Sequence, residues 1–344
     1  MAELLGLGTT DMPFLRGNAT MAGVLLNAIR TGKHMREEDK NPDSWPEPMR
    51  REWGDDEGLA ASKALREHQI PNLQRISAAI ADFSPDFIVI WCKDHMESFK
   101  THLLPQYYIG AWDSVRVKPF AAYGSNYFNE SPERVVELKG HPQGAKCLIR
   151  GLQESGLAPA YSIESMHPNG LAHTHAGAIV HVDWNRREFN TPVVPIGVDP
   201  FGPRERGADG LSPLTSDHLY PIAPARAFDV GRVIGRTLRA SPYRVALVAA
   251  TGWSHTQNTD WNKHWVHPHH EGDRRRYQEW KSNRFDKWGE NFSYENMEEC
   301  GQWEHLCWIM LAGAMTEIGA KLAWSDYAEY WAFNQNMVNC IFET

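Results

Sequence analysis

The sequence predicts a single large α/β domain in which helices flank a central, mixed and mostly buried sheet. Apolar residues recur at helical spacing over residues 58–83. Residues 87–91 (FIVIW) and 245–250 (VALVAA) are continuous apolar runs, which are typical of strands buried on both faces. Helices that alternate with such strands indicate an α/β fold. Because folds of this class place their chemistry where the strands end, we expect the active site at the carboxyl ends of the strands.

The remaining elements follow from the same patterns. The N-terminal run LLGLGTT predicts a first strand that leads into a loop at Asp11. Further helices are predicted at 145–155, 228–240, 271–288 and 303–318, and further strands at 178–182 and 193–198. Residues 31–57 are dense in charge and proline, which predicts an irregular surface excursion. No linker or repeat divides the chain, so we interpret residues 1–344 as one catalytic domain.

The composition argues against nucleic-acid binding and against a membrane span. The chain has 35 Lys and Arg against 43 Asp and Glu, a formal net charge of -8, whereas a phosphate-contacting surface needs an excess of positive charge. It contains no long uncharged apolar run. Its five cysteines lack zinc-site spacing and are expected to be reduced thiols, and the N-terminal residues do not resemble a signal peptide. These features predict a cytoplasmic protein.

Ionisable residues stand at positions where burial would be costly without a partner. Asp11, the pair Asp94 and His95, and His255 each follow a predicted strand, and Glu304 precedes the apolar stretch 305–311. An unpaired carboxylate in that helix would be protonated or would destabilise it, so Glu304 predicts a metal ion or a cationic partner. For His95, a hydrogen-bonded structural role is an equal alternative to a functional one.

Two histidine clusters are weaker signals. In an extended chain His173 and His175 would lie on the same face and could share a metal ion, although His-x-His pairs also occur in loops without a ligand. The cluster of His264, His267, His269 and His270 lies in polar sequence without periodicity. We interpret that cluster as a surface loop.

Several strings resemble one known family in the family's own order. They are LGLGTTDMPFL, SPDFIVIWCKDHMESF, LAHTHAGAIVHVDW, TPVVPIGVD, ATGWSHT and WEHLCWIMLAGAM, and they span most of the chain. The ordered set resembles the class III extradiol ring-cleavage dioxygenases, the superfamily of the catalytic subunit of protocatechuate 4,5-dioxygenase. The resemblance implies an oxidoreductase that adds both atoms of O2 to a catechol-type or related hydroxylated aromatic or heteroaromatic ring.

The resemblance also implies roles for particular residues. Members hold a non-haem Fe(II) with two imidazoles and one carboxylate on one face. By this resemblance His95 corresponds to the second imidazole, Glu304 to the carboxylate and His255 to the acid/base histidine. His175 corresponds to a substrate-contacting histidine, with His173 as the alternative in that register.

Asp11 stands where the family motif has the first histidine ligand. Asp11 could bind the metal in a one-histidine, two-carboxylate site; the resemblance implies Fe(II) as the metal, and Asp11 would also allow Mn(II) or Zn(II). Alternatively, His34 or His175 could complete the ligand set while Asp11 orients a ligand. The metal could also be lost.

These alternatives lead to different functions and assemblies. A metal-dependent hydrolase or lyase, or a non-catalytic subunit without iron, is the alternative to a dioxygenase. Family members assemble as dimers or with a small helical partner subunit, and we expect a homodimer here.

Overall fold

Helices are interspersed with strands along the chain in the computed structural model, which describes residues 2–19, 31, 37–99, 102–121, 126–200, 206–207, 210–211, 220–255 and 267–343. The strands are β1 (Leu4–Thr9), β2 (Phe87–Lys93), β3 (Tyr107–Gly110), β4 (Ser114–Val117), β5 (Val136–Lys139), β6 (Ala160–Ser162), β7 (Val193–Val198), β8 (Arg206–Gly207), β9 (Gly210–Leu211), β10 (Val245–Ala250), β11 (Lys321–Ala328) and β12 (Met337–Glu343).

The helices of the described residues follow in the same way. They are α1 (Pro13–Arg16), α2 (Glu37–Lys40), α3 (Glu47–Trp53), α4 (Leu59–Phe83), α5 (Pro142–Glu154), α6 (His173–Val182), α7 (Pro224–Arg239), α8 (His270–Lys281), α9 (Trp288–Asn291), α10 (Tyr294–Cys300) and α11 (His305–Ile318), with 3-10 turns at Pro42–Ser44 and Phe285–Lys287. No described helix is long and apolar enough to cross a membrane.

Eight of the described strands form one mixed sheet in the order β11-β12-β1-β10-β2-β7-β3-β6. The central strands β1, β10, β2 and β7 are parallel to their neighbours in that group. Strands β12 and β11 extend the sheet antiparallel on one side, and β3 pairs antiparallel with β7 on the other. The carboxyl ends of the four central strands therefore meet at one edge, as the predicted α/β class requires.

Helices cover both faces of this sheet. Alternate residues of β2 and β10 pack on opposite sides, with Val89 and Leu247 in one core cluster and Ile88 and Ala246 in another. Helices α5, α7 and α11 contribute to the first cluster, and α4 and α6 to the second. This two-sided burial explains why β2 and β10 are apolar without alternation.

The structure corrects two expectations about local structure. The segment 178–182, predicted as a strand, is the end of helix α6, which packs against β2 and α4. A short apolar run has no period that separates a strand from a buried helix. The extended geometry expected for His173 and His175 is wrong for the same reason, since successive helical residues turn by about 100°.

The predicted irregular excursion at 31–57 is also more ordered where it is described. From residue 37 onward it forms α2, a 3-10 turn and α3. These elements place Trp45, Met49 and Trp53 in a third core cluster. The rings of Trp45 and Trp53 pack edge to face, with their centroids 5.7 Å apart. The aromatic residues in this charged segment therefore act as anchors for the helices.

Buried histidines make stability sensitive to acid. Burial and the nearby Arg16 lower the pKa of His181 to about 3, and burial lowers the pKa of His270 to about 4. In the unfolded chain both take a proton near pH 6.5, so the stability they contribute is present above that pH and lost below it.

Lowering the pH from 8 to 5 is therefore expected to reduce the free energy of unfolding by about 2 kcal/mol for each of these two histidines. Urea unfolding at both pH values measures this loss. His270→Phe should show a loss about 2 kcal/mol smaller than that of the wild type, and losses of equal size in the two proteins would contradict the assignment.

Candidate functional site

The ends of the four central parallel strands gather polar residues at one edge of the sheet. Pairing of Thr9 with Ala250 and of Lys93 with Val198 aligns these ends. Asp11 lies just beyond β1, Lys93 is the last residue of β2, and Asp199 follows β7. The predicted edge is thus occupied by charged side chains from different strands.

A buried ion cluster of Lys93, Glu304 and Asp11 lies at the centre of this edge. The Lys93 ammonium Nζ is 2.6 Å from Oε1 of Glu304 and 3.4 Å from Oδ2 of Asp11. The side chains of Lys93, Asp11 and Glu304 are 7%, 4% and 0% exposed. Gln335 donates to the other oxygen of Glu304 at 3.3 Å. Glu304 therefore has the cationic partner that its apolar surroundings predict, and the partner is a lysine.

The cluster changes the protonation equilibria of its members. Burial raises the pKa of Glu304 to about 7, against the attraction of Lys93 and with added repulsion from Asp11. Burial alone would lower the pKa of Lys93, but Asp11 and Glu304 outweigh it, so the pKa of the ammonium is raised. Lys93 therefore remains charged at neutral pH.

His95 lies in a second group with Glu97, His167 and His173. The rings of His95 and His173 stack with centroids 5.8 Å apart. Glu97 accepts a hydrogen bond from the backbone N–H of His173 at 3.0 Å, and its carboxylate also pairs with the rings of His173 and His167. Burial opposes ionisation of Glu97, but the hydrogen bonds from the two histidines outweigh it and lower its pKa.

His175 is fully buried on α6, and its neutral imidazole has one nitrogen that donates and one that can accept. Its Nε2 lies 3.3 Å from the carbonyl oxygen of Ile196, so that nitrogen carries the proton and donates. Its Nδ1 has no hydrogen-bond partner. Burial lowers the pKa of His175, against the attraction of Asp94.

Asp94 also keeps one acceptor without a partner. Its Oδ1 accepts from the backbone N–H groups of Glu97 at 2.8 Å and Ser98 at 3.2 Å. Its buried Oδ2 accepts no hydrogen bond of normal length and angle, and the Tyr108 hydroxyl, which pairs with Ser98 at 2.8 Å, lies beside it. A buried carboxylate oxygen without a donor is costly, so it indicates a place for a donor from a ligand.

An apolar cleft opens beside Asp94. It is small, with a volume of about 10 Å³ that a water-sized molecule can enter. Met96 holds a backbone φ of 55°, a left-handed conformation that non-glycine residues seldom adopt outside functional or strained sites. The lining residues are Asp94, Met96, Phe99, Leu104, Pro105, Tyr108 and Asp199.

His255 follows β10 at the same edge and is partly buried. Its backbone N–H donates to the carbonyl oxygen of Gly301 at 2.8 Å, and its Nδ1 lies 3.4 Å from Oδ1 of Asn334. These contacts hold the loop against the start of α11, consistent with an ordered position for the imidazole.

Asp273 anchors this loop from α8. Its Oδ2 accepts from the backbone N–H of Ser254 at 3.0 Å, the Ser254 hydroxyl at 2.6 Å and Asn336 at 2.9 Å. Its Oδ1 accepts from Gln302 at 2.7 Å. Burial raises the pKa of Asp273, while these four hydrogen bonds oppose the rise.

Sequence reasoning missed Lys93 and Asp273. Lys93 lies within a quoted motif, and it is the only charged residue of the otherwise apolar strand Phe87–Lys93, which is the signal that could have identified it. Asp273 gives no such signal, since it lies in a polar helix.

The ligand set implied for Fe(II) does not fit the observed arrangement. Asp11 and Glu304 are joined through Lys93, and His95 stacks on His173. Among the residues that the structure describes, no three His, Cys, Asp or Glu side chains form a group that could hold a metal ion. The assignment of Asp11, His95 and Glu304 as metal ligands stays a prediction.

Of the remaining histidines considered in the sequence, some lie in the described residues and others lie outside them. His34 and His264 lie outside the described residues. His270 is buried at the start of α8 and His269 accepts from the backbone N–H of Gly272, so neither belongs to a surface loop.

Comparison with known proteins gives a distant similarity. The 2,3-dihydroxyphenylpropionate/2,3-dihydroxicinnamic acid 1,2-dioxygenase of Photorhabdus laumondii is 26% identical over 193 residues, which are 56% of this chain and 50% of that protein. The chain thus spans about half the length of this relative. The similarity supports a relationship to extradiol ring-cleaving dioxygenases in general terms. No protein-family profile matches the sequence.

A solved structure shows a partial resemblance in backbone. The crystal structure of an uncharacterized protein from Escherichia coli K12 superposes with a TM-score of 0.45 and 14% identity, covering 78% of this chain and 90% of that one.

Proposed function

We propose that the chain binds a small hydroxylated aromatic ring at the carboxyl edge of its sheet. The observation that carries the proposal is the buried, partnerless Oδ2 of Asp94 at the wall of an apolar cleft. A phenolic hydroxyl is a donor on a flat apolar body, so it would satisfy the oxygen once the small cleft widens enough for the ring to contact Phe99 and Met96.

The neighbouring charges suit such a ligand. Asp199 adds a carboxylate to the cleft wall. A ring without hydroxyl groups would leave Asp94 unsatisfied, so the site should discriminate against it.

Catechol binding to Asp94→Ala tests this proposal by calorimetry in metal-free buffer. We expect the wild type to bind catechol, and the variant to bind it at least about tenfold more weakly because the hydroxyl loses its acceptor. Asp113→Ala is the matched control, since Asp113 is an exposed aspartate in the nearby β3–β4 connection, and it should bind like the wild type. Toluene that binds as tightly as catechol, or an unchanged affinity in Asp94→Ala, would reject the proposal.

Metal-dependent extradiol ring cleavage is the second candidate function. The similarity to a ring-cleaving dioxygenase favours it. Ring cleavage would use O2 and Fe(II), whereas Mn(II) or Zn(II) would serve other metal-dependent chemistry. The metal ligands would be Asp11, His95 and Glu304. His255 and His175 would contact the substrate. A homodimer or a small helical partner subunit belongs to the same proposal.

Oxygen uptake separates the two candidates. The anaerobically purified chain is loaded with Fe(II) and mixed with a panel of catechols, and Asp11→His is measured beside it. Uptake by the wild type that is lost in Glu304→Ala would support ring cleavage. Catechol binding without uptake would support binding alone.

A further inference from the structure

We propose that the ammonium group of Lys93, and not a divalent ion, is the central cation of this site. The inference deepens the proposed function. It rests on that function only in assuming that the ring binds at the same edge of the sheet as the ion cluster. It accounts for the absence, among the residues that the structure describes, of three grouped side chains that could hold a metal ion.

The contacts of Lys93 are those of a permanent partner. Its Nζ reaches Glu304 at 2.6 Å and Asp11 at 3.4 Å, and its own backbone is fixed by pairing with Val198. Thr174 on α6 donates its hydroxyl to the carbonyl oxygen of Lys93 at 2.6 Å. Because the lysine stem starts from a fully buried strand, the ammonium has little room to withdraw from the carboxylates.

A divalent ion would have to coexist with this ammonium. An ion bound to Oε1 of Glu304 at the usual distance of about 2.1 Å would lie within about 5 Å of Nζ, since Nζ is 2.6 Å from the same oxygen. At this distance in a buried site, the positive charges of the ion and the ammonium repel each other strongly. Binding of the ion therefore requires Lys93 to lose its contacts, its proton or its buried position.

Charge balance points in the same direction. A buried carboxylate needs a paired charge, and Lys93 serves Glu304 and Asp11 together. An ammonium has three N–H donors, of which the two carboxylates take two. An ammonium does not exchange electrons with O2. This account therefore predicts recognition of the ring without iron-dependent cleavage.

Titration with Mn(II) tests the inference on the full chain. Free Mn(II) is measured by electron paramagnetic resonance in the wild type, Lys93→Gln and Lys93→Arg at pH 7.5. We expect no Mn(II) binding by the wild type or Lys93→Arg in the micromolar range. Lys93→Gln should bind one Mn(II) at least about tenfold more tightly, because it removes the positive charge and leaves both carboxylates.

The controls separate charge from folding. Lys118→Gln removes a surface lysine that pairs with Glu133 at 2.7 Å, and it should behave like the wild type. One tightly bound Mn(II) in the wild type would overturn the inference even if Lys93→Gln failed to fold, and so would a folded Lys93→Gln that binds no more Mn(II) than the wild type. Loss of the proposed ring binding would instead appear in the catechol titration, which contains no metal.

Discussion

Lys93→Met is expected to lower the free energy of unfolding by about 3–5 kcal/mol at pH 8. The substitution keeps a long apolar stem but removes the ammonium between Glu304 and Asp11, which are 0% and 4% exposed. Removing one partner of a buried ion pair leaves uncompensated charge, and this costs more than the intact pair contributes. Urea unfolding followed by tryptophan fluorescence measures the loss.

Lys118→Met is the matched control for this substitution. Lys118 also pairs with a glutamate, Glu133 at 2.7 Å, but its side chain is 37% exposed and that of Glu133 is 80% exposed. A solvated ion pair contributes about 1 kcal/mol or less. Equal losses in the two variants would show that Lys93 is not the buried partner of Asp11 and Glu304.

Asp273→Ala is expected to lower the free energy of unfolding by about 4 kcal/mol. The substitution leaves the donors of Ser254, Gln302 and Asn336 buried without an acceptor, and each unsatisfied donor costs about 1–3 kcal/mol without full additivity. Release of Ser254 should also loosen the adjacent His255. Thermal and urea unfolding measure the stability, and proteolysis near residue 255 measures the loosening.

Asp273→Asn separates hydrogen bonding from packing. The side-chain oxygen of the asparagine can still accept from Ser254 and Asn336. Its NH2 group can donate to Oε1 of Gln302, which has no partner, once the Gln302 side-chain amide rotates by about 180°. The loss for this variant should be below about 2 kcal/mol. A loss as large as that of the alanine variant would mean that the charge of Asp273, rather than its hydrogen bonds, stabilises the loop.

The fold could be predicted because apolar runs report burial directly. The core positions of strands β2 and β10 are all apolar. Apolar residues at successive positions are needed only where helices cover both faces of the sheet. The strand predicted at 178–182 was wrong because a short run of four apolar residues and one histidine fits a helix end equally well. Strand β11 was not predicted because polar residues interrupt its apolar ones at the sheet edge, and β12 was missed although it is mostly apolar.

The site could be predicted only as far as single residues constrain their surroundings. Glu304 in an apolar helix requires a cation, and this requirement is met. Its partner could not be named, because Lys93 is 211 residues away and one sequence does not show which distant residues meet. The position of Asp11 at the same edge followed from its place after a strand.

A crystal structure with anomalous diffraction measured at the iron and manganese absorption edges tests the central claim most directly. Crystals of the wild type soaked in Mn(II) are predicted to show no anomalous peak between Asp11 and Glu304, and the Lys93 ammonium should lie within about 3.5 Å of both carboxylates. An anomalous peak between these carboxylates, with Lys93 turned away from them, would contradict the account.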